Sequence, residues 1–141
     1  MEKELLNYVY KNAQMGVETL SGLINITEDK SFKNELKSQF EEYSSILDET
    51  KMLISKNDED EEGLSLFEKI ESYITLNIKT LKDKSSSNIS EMLIIGSTMG
   101  TIQATRSINK YKGKCFEEEI KLMEKLLDTE ENNIKELKKY L

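Results

Sequence analysis

The sequence predicts an all-α protein: a four-helix bundle in which two antiparallel hairpins are joined by a short crossover helix, five helices in all. Proline is absent and there are only 6 glycines in 141 residues, as expected of long helices with few irregular connections. Hydrophobic residues form 37% of the chain and charged residues 33%, a balance typical of amphipathic helices with solvated outer faces. The length suits a single domain over residues 1–141.

The first two helices are predicted over residues 2–26 and 30–55. In each, apolar side chains recur every three or four residues, which places them on one helical face. The face of the first helix comprises Leu6, Val9, Ala13, Val17, Leu20 and Ile24, and that of the second comprises Leu36, Phe40, Tyr43, Leu47, Thr50 and Ile54. The break between them, "NITEDK", is short, so the two helices should form an antiparallel hairpin.

The third helix, over residues 64–82, is shorter and is the predicted crossover. It follows "KNDEDEEG", an acidic linker that ends in glycine. The acids resemble the start of a calcium-binding EF-hand loop, but Lys69 stands where that loop needs its closing glutamate. A solvated linker is therefore the better interpretation.

The last two helices are predicted over residues 89–111 and 116–140, with a break at Gly113. Asn88 and Glu91 suggest a reciprocal cap at the start of the fourth helix.

The fourth helix differs from the others because "MLIIGSTMGTIQA" is apolar nearly all round. This composition predicts that it is the most buried of the five helices. Gly96, Gly100 and Ala104 lie four residues apart on it, which should let a neighbouring helix approach closely.

Charge and composition exclude several classes of partner. The net charge is −7 and the pI is near 4.8, so the surface should repel nucleic acid and anionic membranes. No run of about 20 apolar residues is present, and "MEKELLNYVY" does not resemble a signal peptide. Cys115 is the single cysteine and cannot form an internal disulfide. A cytoplasmic protein with neither nucleic-acid nor membrane partners is predicted.

The sequence contains no histidine, which removes the usual general base at neutral pH, the usual haem ligand and standard zinc sites. Carboxylates remain, and oxygen ligands favour calcium, magnesium or manganese. A nucleophilic role for Cys115 would also need a base, so a plain, partly buried thiol is expected. These observations favour a non-catalytic protein.

One position of the fifth helix breaks its apolar face. Steps of three and four residues from Ile120 reach Met123, Leu127, Glu130, Ile134, Leu137 and Leu141. Only Glu130 in this series is charged, and a buried carboxylate needs hydrogen-bond partners or a proton.

Two long hairpins with a crossover resemble the ferritin-like arrangement, and "YKNAQMGVETLSGLI" is similar to the first helix of that family, where a glutamate lies among small and apolar residues. In the family's di-iron members two helices each supply a glutamate and two supply Glu-x-x-His. The resemblance makes Glu18 and Glu130 the candidate metal ligands. Glu130 begins Glu-x-x-Asn, so the ligand pattern is not intact. No cofactor is therefore expected, with iron or manganese as the alternative.

In the ferritin-like topology the first and fifth helices run parallel, and one layer would hold Glu18, Gln39, Ser97 and Glu130. This layer is interpreted as a set of satisfied polar groups that fixes helix register. A degenerate metal or small-ligand site is one alternative, and a half-exposed Glu130 is another.

The predicted function is that of a non-catalytic ferritin-like bundle acting through protein association, as a homodimer or with a different protein. The alternatives are a carboxylate-ligated metalloprotein for redox or storage and a bundle that binds a small ligand. The composition, rich in lysine, isoleucine, glutamate and asparagine, resembles that of low-GC Gram-positive bacterial proteins.

Overall fold

The computed structural model describes residues 2–56, 78 and 80–141, which form four α-helices and contain no strand. The helices are α1 (Glu2–Ile26), α2 (Lys30–Lys56), α3 (Ser86–Tyr111) and α4 (Glu117–Leu137), followed by a 3₁₀ turn at Lys138–Tyr140. The predicted all-α class is confirmed, and the four long helices lie within a few residues of their predicted bounds. The predicted crossover helix at 64–82 falls almost entirely outside the described residues.

The helices pack as two hairpins, α1 with α2 and α3 with α4. α4 contacts both α1 and α2, so the hairpins share one apolar core. Two contacts set the direction of α3: the Tyr8 hydroxyl donates to the Gly100 carbonyl, and the Tyr111 hydroxyl donates to Glu4. α1 and α3 are therefore antiparallel, and α2 and α3 run in the same direction.

α3 begins earlier than predicted because Ser85 caps it. The Ser85 hydroxyl accepts a hydrogen bond from the Asn88 N–H at 3.2 Å, which satisfies one of the amides left free at a helix start. The Asn88 side chain instead donates to the Asp83 carbonyl at 2.7 Å. The predicted reciprocal cap between Asn88 and Glu91 is therefore wrong. The break at Gly113 is confirmed, with the left-handed φ of 80° that favours glycine.

The prediction that this helix is the most buried is also wrong. Its buried residues are Ile89, Ser90, Ala104, Ile108 and Tyr111. Ile95, Met99 and Ile102, in the middle of the apolar stretch, are exposed. The apolar side chains of α3 are thus divided between the core and the surface.

α1 and α2 approach closely at Gly16, where the absence of a side chain makes room for the Tyr43 ring. A Cβ at this position would lie 2.7 Å from Cγ of Tyr43, closer than side chains pack. We expect Gly16→Ala to lower the free energy of unfolding by about 1–2 kcal/mol, because the overpacking cost exceeds the gain in helix propensity. Urea denaturation measures the change.

Gly22→Ala is the matched control for this prediction. Among the described residues, a Cβ at Gly22 would meet only Cγ2 of Ile78, at an ordinary 4.0 Å. Its stability should equal or exceed that of the wild type, and equal effects of the two substitutions would contradict the tight packing at Gly16.

Candidate functional site

Glu130 lies inside the bundle and is only 1% exposed, which excludes the half-exposed alternative. It belongs to the inward face of α4, where buried residues follow one another at intervals of three and four: Glu119, Met123, Leu126, Glu130, Asn133 and Leu137. This spacing places Glu130 and Asn133 next to each other on the face that meets the other helices.

The Glu130 carboxyl is enclosed by the three other helices. The Asn12 amide of α1 and the Tyr43 hydroxyl of α2 lie within hydrogen-bonding reach of it. Gly100 of α3 packs directly against it, since a Cβ there would come within 2.8 Å of Cδ. Oε2 of Glu130 has no hydrogen-bond partner among the described residues.

Two tyrosines, Tyr8 and Tyr43, lie on either side of Glu130. The residues grouped around the Glu130 carboxyl are called the polar layer: Tyr8, Asn12, Tyr43, Ser97, Glu130 and Asn133. The Tyr8 hydroxyl accepts from Nδ2 of Asn12 at 3.3 Å and donates to the Gly100 carbonyl at 3.2 Å. Tyr43 faces Ser97 as well as Glu130. Burial raises the pKa of both tyrosine hydroxyls, and the negative charge of an ionised Glu130 raises it further.

Asn133 is the other polar residue that α4 contributes to the layer. It faces Tyr43 and the half-buried Glu42, but its amide forms no hydrogen bond of ordinary geometry with any described residue. Burial, together with the charge of Glu35, raises the pKa of Glu42.

Burial raises the pKa of Glu130 to about 8, from an ordinary value of 4.5. The hydrogen bonds from Asn12 and Tyr43 favour the ionised form, but they do not offset the loss of hydration. At neutral pH the carboxyl is therefore mostly protonated. It can donate and accept hydrogen bonds, but a solute reaches it only if the helices separate.

Glu18 does not share this layer. It is exposed on α1, whereas the predicted layer required it to be buried beside Glu130. Asn12, more than one helical turn nearer the N-terminus, is the α1 residue that faces Glu130. In the part of the chain that the structure describes, no group of three or more histidine, cysteine, aspartate and glutamate side chains could hold a metal ion. Metal binding by Glu18 and Glu130 stays a prediction.

The other predicted layer residues are placed as follows. Gln39 is buried as expected, but its amide donates to Oε1 of Glu35 at 3.1 Å. Ser97 belongs to the layer through its contact with Tyr43. The structure therefore brings Ser97 and Glu130 together and leaves Glu18 out.

Sequence reasoning missed Tyr8 and Asn12 as members of the layer. A signal was present for Asn12, which falls at helical spacing with Val9, Gly16 and Leu20 on α1. A polar residue and a glycine on an otherwise apolar face mark the level at which the polar layer crosses the bundle.

A second feature lies on the outer face of α3. Ile95, Met99 and Ile102 are 57%, 61% and 47% exposed, and their spacing of four and three residues places them in one row. Glu91 and Arg106 are exposed and continue this row at its two ends. Neither of these two forms an ion pair with a described residue. Together the five residues are called the α3 stripe.

Comparison with protein-family models, curated proteins and solved structures found no match to the chain. Within the described ranges, no helix has the length and apolar character needed to cross a membrane. The class that the fold defines is an all-helical bundle, and the evidence for its function lies in the polar layer and the α3 stripe.

Proposed function

We propose that the protein is a non-catalytic ferritin-like helical bundle that acts through association with another protein molecule, with the α3 stripe as the association surface. The observation that carries this proposal is the exposure of Ile95, Met99 and Ile102 in one row. Large apolar side chains scattered singly are ordinary on protein surfaces, whereas a contiguous row on one helix is typical of a binding face.

The distribution of charge supports the same surface. The net charge is −7, yet residues 92–105 form the longest stretch of the sequence without a charged side chain. The centres of protein interfaces are depleted in charged residues and enriched in methionine. The stripe has this composition, with charge only at its ends.

The directions of the helices support the ferritin-like part of the proposal. α1 and α2 are antiparallel, α3 and α4 are antiparallel, and α2 and α3 run in the same direction. Two hairpins joined by a crossover have this order of directions.

The polar layer supports the non-catalytic part. Metal ligation requires an ionised carboxylate, and burial raises the pKa of Glu130 to about 8, so a metal ion would have to displace its proton at neutral pH. Its nearest polar neighbours are an asparagine and two tyrosines rather than further carboxylates.

Methionine oxidation tests whether the α3 stripe is covered. Met99 is 61% exposed and Met52, on α2, is 72% exposed, so Met52 is a matched internal control. In dilute purified protein, hydrogen peroxide should convert both to the sulfoxide at similar rates. In the cells that produce the protein, Met99 should react at least about five-fold more slowly than Met52, because the partner covers it. Mass spectrometry of peptides measures both rates.

Equal oxidation of the two methionines in cells would contradict the proposal. A concentration series of the purified protein distinguishes the kinds of partner. Protection of Met99 that appears as the purified protein is concentrated indicates self-association, and protection found only in cells indicates a different protein.

A further inference from the structure

We infer that the partner of the α3 stripe is a second copy of this chain, bound with its α3 antiparallel to the first about a twofold axis next to Met99. The inference rests on the proposed function, because it names the partner of the same surface. The order of side chains along the α3 stripe is the observation that supports this antiparallel dimer.

The α3 stripe has the same order of side-chain types from either end. A charged residue comes first and an isoleucine second, and the midpoint lies between Thr98 and Met99. Two antiparallel helices that cross at this midpoint place Ile95 opposite Ile102 of the second copy, and Ile102 opposite its Ile95. In a twofold dimer every contact occurs twice, so a self-complementary row is what such an interface requires.

The charges at the two ends select the antiparallel arrangement. Glu91 and Arg106 carry opposite charges and are equally far from the midpoint. In antiparallel copies each Glu91 faces Arg106 of the other copy, which gives two attractive contacts. Parallel copies would pair like charges at both ends, which disfavours that register. Both residues are exposed, and neither is engaged in an ion pair within the described ranges.

The surface around the stripe suits a second helix. The five residues follow one another at intervals of four, four, three and four, which keeps them on one face of the helix, as in the seam between two paired helices. Gly96 borders the stripe, and no atom of the described residues lies within 4 Å of the position a Cβ would take there, so the second helix can approach closely. Residues 91–106 carry one acid and one base and no net charge, so two copies of a chain with net charge −7 can meet here without repulsion.

The predicted dimer is weak and reversible. Sixteen helical residues are about 24 Å long, and three apolar anchors on each copy form an interface near the lower end of the range for specific complexes. Association should therefore depend on concentration, which makes its strength measurable.

Charge exchange tests the antiparallel geometry. Glu91→Arg puts an arginine opposite Arg106 of the second copy, and Arg106→Glu puts a glutamate opposite its Glu91. In sedimentation equilibrium from about 1 μM to 1 mM, each variant alone should dimerise at least about ten-fold more weakly than the wild type, because two contacts per dimer become repulsive. An equimolar mixture should dimerise within about three-fold of the wild type, because the mixed dimer pairs opposite charges at both ends.

Glu117→Arg is the matched control. Glu117 is exposed on α4, in an ion pair with Lys121 at 3.3 Å, so its reversal changes the net charge equally but away from the α3 stripe. Its dimerisation should equal or slightly exceed that of the wild type. A less acidic chain repels itself less, so a general charge effect would strengthen association in Glu91→Arg, opposite to the expected result. Thermal unfolding of all variants should match the wild type, since the substituted positions are exposed.

The outcomes separate this inference from the proposed function. A wild-type dimer that neither reversal weakens, or that the mixture does not restore, overturns the antiparallel α3 dimer and leaves association through another geometry. A wild-type chain that is monomeric at about 1 mM also overturns it. Protection of Met99 in cells then decides whether a different partner binds the α3 stripe or none does.

Discussion

Replacement of Glu130 by glutamine is expected to remove a loss of stability that the wild type undergoes between about pH 4.5 and pH 8. The folded protein holds the Glu130 proton up to a pKa of about 8, whereas the unfolded chain releases it near 4.5. As the pH rises through this interval the unfolded state loses a proton that the folded state retains, so the free energy of unfolding falls. The slope is about 1.4 kcal/mol per pH unit, or roughly 4–5 kcal/mol over the whole interval.

Urea unfolding at a series of pH values from about 4 to 9 measures this effect as the difference between the two proteins. Glutamine has nearly the shape of the protonated carboxyl, so Glu130→Gln should lie within about 1 kcal/mol of the wild type at the acidic end. At the alkaline end it should be more stable than the wild type by roughly 3–5 kcal/mol, because it has no buried charge to accommodate. The two stability curves should therefore diverge as the pH rises.

Other titrating groups near Glu130 do not produce this divergence. The pKa values of Tyr8 and Tyr43 are raised above their ordinary value of 10, so both hydroxyls stay neutral throughout the range. Glu42 is present in both proteins, so its contribution largely cancels in the difference. Glu131→Gln, an exposed neighbour, is the control and should follow the wild-type curve. Parallel curves for Glu130→Gln and the wild type would contradict a Glu130 held neutral by burial.

The positions of the helices could be predicted from the sequence because the signals for them are local. Apolar spacing, the short break after Ile26 and the glycine at 113 each act within a few residues. The signal for the polar position on α4 was also local, since Glu130 interrupts a regular series of apolar residues. No longer-range information was needed to expect a carboxyl inside the bundle.

The register between helices could not be predicted, because it depends on contacts between residues far apart in the chain. Counting residues from the helix ends placed Glu18 beside Glu130, but the fit of Tyr43 against Gly16 and of Glu130 against Gly100 brings Asn12 to that level instead. Asn12 and Glu18 are six residues apart, so a sliding of between one and two helical turns separates the two arrangements. The amino-acid composition does not distinguish these two registers, whereas the close contacts at Gly16 and Gly100 do.

The sequence could not predict which face of α3 is exposed, for a related reason. The helix carries apolar side chains on both sides, so its periodicity does not select the buried one. Gly100 and Ala104 lie on the inner side and Ile95, Met99 and Ile102 on the outer side. The smaller residues face the core because α4 brings the Glu130 carboxyl to within contact of Gly100.

Gly100→Ala is expected to be strongly destabilising for this reason. A Cβ at Gly100 would lie 2.8 Å from both Cδ and Oε1 of Glu130 and closer still to Oε2. The carboxyl is enclosed by Asn12 and Tyr43, so moving it strains the packing and disturbs its hydrogen bonds. The free energy of unfolding should fall by about 2–4 kcal/mol, measured by urea denaturation at neutral pH.

Gly96→Ala supplies the control on the same helix. The position is exposed and the structure places no described atom within 4 Å of the added Cβ, so the higher helix propensity of alanine should stabilise the protein by up to about 1 kcal/mol. The measurement belongs at low protein concentration, where association through the neighbouring α3 stripe does not contribute. A destabilising Gly96→Ala would show that backbone effects, rather than the Glu130 contact, account for the cost at Gly100.

A double-mutant cycle identifies the group that Gly100 accommodates. Glu130→Ala removes the carboxyl that the new Cβ would meet, so Gly100→Ala introduced into that background should cost nothing or stabilise slightly. The expected coupling between the two positions is at least about 2 kcal/mol, which is within the range measured for residues in direct contact. A cost that persists without the carboxyl would place the obstruction elsewhere on α4. If Gly100→Ala no longer destabilises the protein once the carboxyl is removed, the close approach of α3 to Glu130 is the contact that sets the register of the second hairpin. The same contact then determines which residues α3 exposes.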